Sequence, residues 1–270
     1  MYSNYRFLWM FGITFGAGML RCEEGRGVKI WHYCLSCGCF LSLGGSTSPH
    51  HGGLPIKLGP FSFLKLSVGL HRPAPVAPLS ANAQADLLRE LVSDYPSLQQ
   101  IPGGVIFSDP PRGRMLLIDQ TKVELVENNP NSPFDAIDRM HGVFQKAVPV
   151  VQYSAPFFVR IDGAGTIQAM EGLNPTQVLL QHSPPRQEWD QIGGACTFAG
   201  LRYIFRSEDG GQRDMHVEPL FAQPDKFYVM VLSVPGSGLP TLDDAMGRAR
   251  REAEIIERLS DRVVSDLTSS

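Results

Sequence analysis

The sequence predicts an α+β protein with a mostly antiparallel sheet, helices packed on one face of that sheet and a long C-terminal helix. Candidate strands come in consecutive runs, which favours an antiparallel sheet over a doubly wound parallel one. Capping residues precede the candidate helices. With 270 residues, of which 43% are hydrophobic and 19% charged, the chain has enough apolar material for a packed domain.

The composition changes near residue 80. Residues 1–80 carry seven Lys or Arg and two acidic residues, a net charge of +5, so the other 190 residues carry −8 to give the chain its −3. The same stretch holds four of the five cysteines and shows no sustained helical or strand periodicity. A Pro-rich segment, 71–83, ends it. We therefore expect residues 1–81 to be a poorly structured or non-native extension with a Pro-rich linker, and residues 82–270 to form a single α+β domain.

The first half of this domain is predicted to contain a helix, three strands and a second helix. Asn82 can cap the first helix, whose apolar stripe comprises Ala85, Leu87, Leu88, Leu91 and Val92. Three short segments rich in strand-forming residues then make a meander, at 105–108, 114–119 and 122–127. A second amphipathic helix begins at Ser132 and runs to about Ala147, with an apolar face formed by Phe134, Ile137, Met140 and Phe144.

The next predicted strand and helix are separated by clear turn residues. Residues 157–170 are predicted to form one long strand with a bulge at Asp162-Gly163, which we favour over a hairpin there. A short helix follows from Asn174 to Leu180.

A hairpin, a strand and a long helix complete the predicted domain. The hairpin joins 197–206 to 214–218 through 208–211, where two glycines supply positive φ angles. Lys226–Val234 is the most β-prone segment and is expected inside the sheet. A capping box at 241–244 begins a helix of about 25 residues, whose apolar positions are Ala245, Ala249, Ile256, Leu259, Val263 and Leu267.

Two segments carry a family resemblance. IFSDPPRGRMLLIDQTKVELVEN, at 106–128, is followed by a helix, and GLRYIFR, at 200–206, comes before a final strand and long helix. In this combination the chain resembles a sporadically distributed, uncharacterised bacterial protein family over about residues 84–265. The aromatic-rich signature of that family's first strands is largely absent. The resemblance implies a strand pair after an N-terminal helix, and it supplies no activity.

The N-terminal extension leaves two functional alternatives open. An uncharged run of 14 residues, Phe7–Leu20, has the length of a signal-peptide core but is too short to span a bilayer. The segment WHYCLSCGC offers zinc donors, although the second donor pair of a usual site is missing; these donors are His32, Cys34, Cys37 and Cys39. We expect no metal site and no stable membrane insertion, and a metal-bound or membrane-tethered protein is the lesser alternative.

The catalytic patterns are incomplete. Asp138 and His141 lie three residues apart on the second helix, a spacing that could orient an imidazole as general base, but no nucleophile is identifiable beside them. Cys196 has apolar neighbours and is expected to be a core residue. The glycines at 163–165 and 235–238 match neither phosphate-loop motif. We therefore assign no catalytic residue, no metal ligand and no cofactor, and keep an enzyme of unknown reaction as the alternative to a binding protein.

Three arginines are the candidate ligand-binding residues. Arg202 and Arg206 project to one face of a predicted strand, opposite three apolar residues. The hairpin that follows could bring Arg213 beside Arg206. Clustered guanidinium groups can hold a carboxylate or phosphate through paired N–H donors. These three residues are therefore the candidate site for a small anion. The alternative is a solvated face whose charges are neutralised by nearby acidic residues, namely Glu208, Asp209, Asp214 and Glu218.

The predicted function is a non-catalytic binding or assembly module, whose ligand is an unidentified protein or a small anionic molecule. A net charge of −3 and a pI of 6.2 offer no basic field for a nucleic acid. Five cysteines, an odd number, do not describe a disulfide scaffold, and a cytoplasmic protein is expected. A homodimer through the final helix is a further hypothesis, because Met246, Ala253 and Ile255 flank its apolar stripe; the competing view is that this helix covers only its own sheet.

Overall fold

The chain folds into two layers, an antiparallel sheet and helices that cover one of its faces. The computed structural model describes residues 58–184, 199–207 and 209–269, together with the backbone of 30–33 and 40–42. The strands are β1 (Ile30–Tyr33), β2 (Phe40–Ser42), β3 (Ser62–His71), β4 (Ser97–Ile101), β5 (Gly104–Asp109), β6 (Arg114–Ile118), β7 (Lys122–Asn128), β8 (Phe158–Gln168), β9 (Gly200–Arg206), β10 (Gln212–Pro219) and β11 (Lys226–Val234). The helices described are α1 (Ala81–Leu91), α2 (Pro133–Val150), α3 (Pro175–His182) and α4 (Leu242–Thr268).

Nine of the strands form the sheet in the order β9-β10-β11-β8-β3-β7-β6-β5-β4, and β1 and β2 extend it beyond β9. All the strand pairs described are antiparallel. Two meanders, β4–β7 and β9–β11, lie on either side of β3 and β8, which join them at the centre. The predicted α+β class, with its antiparallel sheet and long C-terminal helix, is confirmed.

The two faces of the sheet differ in what covers them. Side chains alternate between the two faces along β8. Val159 and Ile161 are buried in the core, whereas Arg160 and Asp162 point to the opposite side. Helices α2, α3 and α4 pack on the first side, which we call the covered face. The other side, which no helix described here contacts in this way, we call the open face.

Helix α4 lies close against the centre of the covered face. A Cβ placed on Gly163 of β8 would be 3.0 Å from Cγ2 of Ile256 on α4 and 3.0 Å from the Phe63 ring. A side chain at this position would therefore force Ile256 or Phe63 to shift. The predicted bulge or turn at Asp162-Gly163 is absent, since both residues keep regular register with β3 and β11; the prediction of one long strand is correct.

The helices begin where their capping residues predict. The Ser132 hydroxyl accepts from the Asp135 backbone N–H at 3.2 Å, and the Thr241 hydroxyl accepts from that of Asp244 at 3.0 Å. The Asn174 side chain accepts from the N–H of Thr176 at 2.9 Å. Helix α1 is the exception, because Ser80 caps it in place of the predicted Asn82.

The predicted boundary near residue 82 is wrong for residues 61–71. These residues, assigned to the poorly structured extension, include β3, which pairs with both β7 and β8 at the centre of the sheet. The side chains that β3 and the residue before it contribute to the core are Phe61, Phe63, Leu66, Val68 and Leu70. Residues 73–78 have no regular secondary structure and are exposed, and residues 1–57 lie outside the described side chains.

The predicted apolar stripe of α1 is only partly buried. Leu87 and Leu91 are fully buried, whereas Leu88 is 40% and Val92 53% exposed. Strand β4, which was not predicted, completes the first meander as a hairpin with β5.

The apolar stripe of α4 packs on its own sheet. Ala245, Ala249 and Ile256 are fully buried. Of the three residues that the dimer hypothesis reserved for a partner, Met246 and Ala253 are also buried, whereas Ile255 is half-buried. This helix therefore offers no broad apolar surface to a second chain. Among the described residues, no helix combines the length and apolarity needed to cross a membrane.

Candidate anion-binding pocket

The three predicted anion-binding arginines do not form a cluster. Register pairs Gln212 with Arg206 and Arg213 with Phe205, so Arg213 points to the covered face while Arg206 points to the open face. The prediction that the hairpin brings Arg213 beside Arg206 is therefore wrong. Arg202 is on the same face as Arg206, as predicted, but its guanidinium donates to Asp214 at 2.8 and 2.5 Å.

Arg213 has a structural partner instead of an open binding surface. Its Nε and Nη2 donate to the Glu252 carboxylate at 2.7 and 2.8 Å, and Ser233 donates to the same carboxylate at 2.9 Å. Arg248 also pairs with Glu252 at 2.8 Å. Glu252 is 1% exposed; burial alone would raise its pKa, but the hydrogen bonds from Arg213 and Ser233 lower it overall.

Asp138 and His141 do not form a general-base pair. Asp138 accepts from Arg250 of α4, and the His141 Nε2 lies 3.0 Å from Oδ1 of Asp243, so both residues connect α2 to α4. Cys196 and the predicted zinc-donor cysteines lie outside the described residues, as does the side chain of His32. Within the described ranges, no group of three or more metal-ligating side chains is close enough to hold a metal ion.

A pocket of about 330 Å³ lies where β3 and β11 end and β8 begins. Both β3 and β11 run antiparallel to β8, with His71 opposite Phe158 and Ser233 opposite Ile161, so their last residues meet beside the first residues of β8. The residues that line the pocket are His71, Arg72, Pro73, Phe158, Arg160, Val234 and Pro235. Three chain segments that are far apart in sequence therefore build one concave site.

Arg72 is held in place from one side only. Its Nη2 donates to the Val151 carbonyl at 3.0 Å, and its guanidinium carbon lies 4.7 Å above the centre of the Tyr153 ring. The Tyr153 hydroxyl donates to the His71 carbonyl, which ties this ring to the end of β3. The Nε of Arg72 is buried and has no hydrogen-bond partner among the described residues.

Arg160 is held even less completely. Its Nη2 donates to Asp162 at 3.3 Å, a long hydrogen bond between partly exposed side chains. Its Nε is also buried without a partner in the described part of the chain. A guanidinium has five N–H donors, so Arg72 and Arg160 together bring two positive charges and unused donors to one pocket.

His71 adds a titratable group at the edge of the pocket. Its imidazole lies over Gly69, where an added Cβ would be 2.9 Å from Nε2. Burial lowers the pKa of His71, and the charges of Arg160 and Lys122 lower it further. The imidazole is therefore neutral at pH 7 and can accept or donate one hydrogen bond there.

The pocket combines positive charge with apolar walls. None of its lining residues is acidic, while Pro73, Phe158, Val234 and Pro235 give it mainly apolar surfaces. Its volume is at the lower end of the range for small-molecule sites. This chemistry suits an anionic group attached to a compact apolar body.

A second cleft, of about 200 Å³, is already neutralised by its own residues. It lies between α2 and β6–β7 and is lined by Arg114, Arg139 and Lys146. Glu127 pairs with Arg114 and Arg139, and Asp94 pairs with Lys146 at 2.6 Å. The pocket lined by Arg72 and Arg160, which we call the arginine pocket, is the better candidate because its lining residues include no such carboxylates.

Sequence reasoning missed His71, Arg72 and Arg160. The first two were assigned to the linker, and the third to an ordinary strand. The strand SFLKLSVGLH before Arg72 was the available signal, since its buried hydrophobic residues lie at positions 63, 66, 68 and 70. The shift from a spacing of three to a spacing of two reflects a bulge between Phe63 and Lys65.

Comparison of the chain with protein-family models finds no match, and comparison with curated proteins finds none either.

Proposed function

We propose that this protein is a non-catalytic binding module whose arginine pocket takes the anionic group of a small, partly apolar ligand. The observation that carries the proposal is that Arg72 and Arg160 line one pocket with no acidic lining residue, while each guanidinium donates one hydrogen bond within the described chain. A guanidinium carries five N–H donors, so both arginines can donate further hydrogen bonds to a ligand in the pocket. The resemblance to an uncharacterised bacterial family contributes no activity to this proposal.

The chemical groups present support binding rather than catalysis. Within the described residues that line the pocket there is no Ser, Cys, Asp or Glu that could act as a nucleophile or carry out acid-base chemistry with His71. The two guanidinium groups can form charge-assisted hydrogen bonds with a carboxylate or phosphate, and Phe158 and the prolines can contact its apolar part.

The test is titration of the full chain with benzoate and with inorganic phosphate at pH 7, followed by calorimetry. Benzoate is expected to bind more tightly than phosphate, because the pocket walls bury its ring. Arg72→Gln and Arg160→Gln should each lower benzoate affinity by roughly 10- to 150-fold, since a hydrogen bond to a charged group contributes about 1.5–3 kcal/mol.

Arg206→Gln is the matched control. It removes the same charge from the same open face, outside the pocket, and should leave benzoate affinity unchanged. An equal loss of affinity in all three variants would indicate only nonspecific attraction of anions. Failure of the unsubstituted chain to bind either anion would contradict the proposal.

A further inference from the structure

The edge of the sheet formed by β4 is unusually open to pairing. Its sequence, SLQQI, has four exposed residues in a row, Ser97 to Gln100. Edge strands of soluble proteins are normally protected by charged side chains, proline, a bulge or a covering element. SLQQI has no charge and no proline, its register with β5 is regular, and among the described residues no strand pairs with its outer side.

The alternating direction of backbone hydrogen bonds in the first meander identifies which N–H and C=O groups of β4 point away from β5. The Asp119 N–H donates to Lys122 of β7, so the backbone of Ile118 faces β5 instead. Ile118 pairs with Val105, and alternation then directs Gly104 and Ile106 towards β4, where they pair with Ile101 and Gln99. Leu98 and Gln100 therefore present their N–H and C=O groups outward.

An exposed apolar strip runs beside this edge on α1. Gln84, Leu88 and Val92 share one side of the helix because they are spaced by four residues. The amide of Gln100 on β4 donates to Gln84 at 3.2 Å, which places that side of α1 next to the edge. Leu88, Val92 and Leu98 are 40%, 53% and 39% exposed. Three of the large apolar residues exposed in the described chain are thus gathered along one unpaired strand.

We infer that β4 pairs with β4 of a second copy of this chain, in antiparallel orientation, to form a homodimer with a continuous sheet. In the register that uses both outward residues, Leu98 pairs with Gln100 of the other copy and Gln99 faces its own equivalent across the two-fold axis. Both copies of α1 then lie on the same face of the joined sheet, with their Leu88 and Val92 strips towards the seam. A second copy is the favoured occupant because an uncharged strand meets no like-charge repulsion when it pairs with itself.

The inference is independent of anion binding, because the arginine pocket lies at the ends of β3, β8 and β11, away from β4. It also differs from the sequence-based hypothesis, which placed the dimer contact on α4. In the structure, α4 buries most of its apolar residues in its own core and none of them is exposed, whereas Leu88 of α1 and Val92 at its end are exposed.

Sedimentation equilibrium of the full chain tests the oligomeric state. The expected mass is 59.4 kDa, twice 29.7 kDa, at tens of micromolar. Leu98→Pro removes an outward N–H without removing a hydrogen bond to β5, and Leu88→Glu with Val92→Glu places like charges at the seam; both should give monomers. Met230→Glu introduces a single negative charge at a residue of similar exposure, 37%, on the open face of β11, and should leave the dimer intact.

Disulfide trapping tests the register and remains decisive if Leu98→Pro does not fold. Gln99→Cys places two thiols in a non-hydrogen-bonded antiparallel pair, where Cα atoms about 4.5 Å apart suit a disulfide. Gln100→Cys faces Leu98 of the other copy and should not cross-link above the level of the unsubstituted chain, which has five cysteines. A monomeric mass, or equal cross-linking of both variants, would overturn the inference.

Discussion

Arg213 of β10 and Arg160 of β8 are both strand arginines of the same sheet, but they lie on opposite faces and have opposite environments. Arg213 on the covered face forms a two-pronged pair with the buried Glu252 carboxylate. Arg160 on the open face has one long hydrogen bond to Asp162 and an unpartnered Nε. The first arginine ties α4 to the sheet, whereas the second is one of the two that the proposed function assigns to the ligand.

Removing the carboxylate from the covered face should have the largest effect. Glu252→Gln leaves the Arg213 guanidinium, 14% exposed, without a charged partner. Breaking a buried ion pair costs about 3–5 kcal/mol of unfolding free energy, which urea denaturation would measure. Arg160→Gln should change the same quantity by less than about 1 kcal/mol, because the Arg160–Asp162 pair is partly solvated. Equal losses in the two variants would remove the distinction between the faces.

The pH dependence of stability sharpens this first comparison. The pKa of Glu252 is lowered in the folded state, so its ionised form stabilises the fold above the unfolded value of about 4.5. That contribution is lost as the pH falls from 4.5 through the lower folded pKa. The unfolding free energy of the natural chain should therefore decrease more steeply in this range than that of Glu252→Gln.

Two glycines on neighbouring strands test the same contrast between the covered and open faces, with an expected effect on stability of intermediate size. Gly163 faces α4, and a larger side chain there meets Ile256 and Phe63 in the packed core. Gly163→Val should lower the unfolding free energy by about 1–3 kcal/mol, the usual cost of overpacking. Gly69 faces the open side, and a Cβ there meets the rotatable imidazole of His71.

Gly69→Ala should therefore affect binding more than folding. Its thermal midpoint should stay close to that of the natural chain, while benzoate affinity should fall because the displaced imidazole enters the pocket. Calorimetric titration of both glycine variants separates these effects. A Gly69→Ala protein with unchanged affinity would show that His71 does not border the ligand.

The smallest expected effect is a pH dependence of anion binding through His71. The groups around this imidazole are Arg160 of β8, Lys122 and Glu124 of β7, and Asp119 before β7. Burial raises the pKa values of Asp119 and Glu124, but hydrogen bonds lower them overall, so both remain ionised at pH 5. As the pH falls from 8 to 5 towards the lowered pKa of His71, the imidazole gains positive charge beside the bound anion.

Affinity for benzenesulfonate, which stays anionic throughout this range, should therefore rise a few-fold between pH 8 and pH 5. His71→Gln should bind the same anion with little dependence on pH. A pH response that persists in His71→Gln would assign the effect to another group.

Local patterns predicted most of the elements correctly. Lys226–Val234 alternates buried and exposed residues as expected of an interior strand, and the caps at Ser132, Asn174 and Thr241 mark real helix starts. Strand β3 was not predicted because its bulge shifts the alternation of inward and outward side chains. In addition, the charge of residues 1–80 was evaluated as one block, so the residues before β3 obscured it. Propensity could not identify β4, whose SLQQI sequence has one β-branched residue.

The candidate site could not be predicted from local sequence for a different reason. Its cationic residues come from the end of β3 and the start of β8, which only the order of strands in the sheet brings together. The misplaced Arg213 has a similar cause. The side of the sheet on which it lies depends on the register of the hairpin, which pairs it with Phe205 and not with Arg206.

The central position of β3 also has a consequence for synthesis on the ribosome. Phe158, the first residue of β8, lies 87 residues after His71, the last of β3 (158 minus 71). At a translation rate of about 5–20 residues per second, β3 waits roughly 4–17 seconds before this partner emerges. During that interval β7 can pair with β3 and α2 can pack on it, but the β3 edge that pairs with β8 stays unpaired. The nascent chain therefore carries an unpaired edge of its central strand, open to misassociation, until β8 arrives.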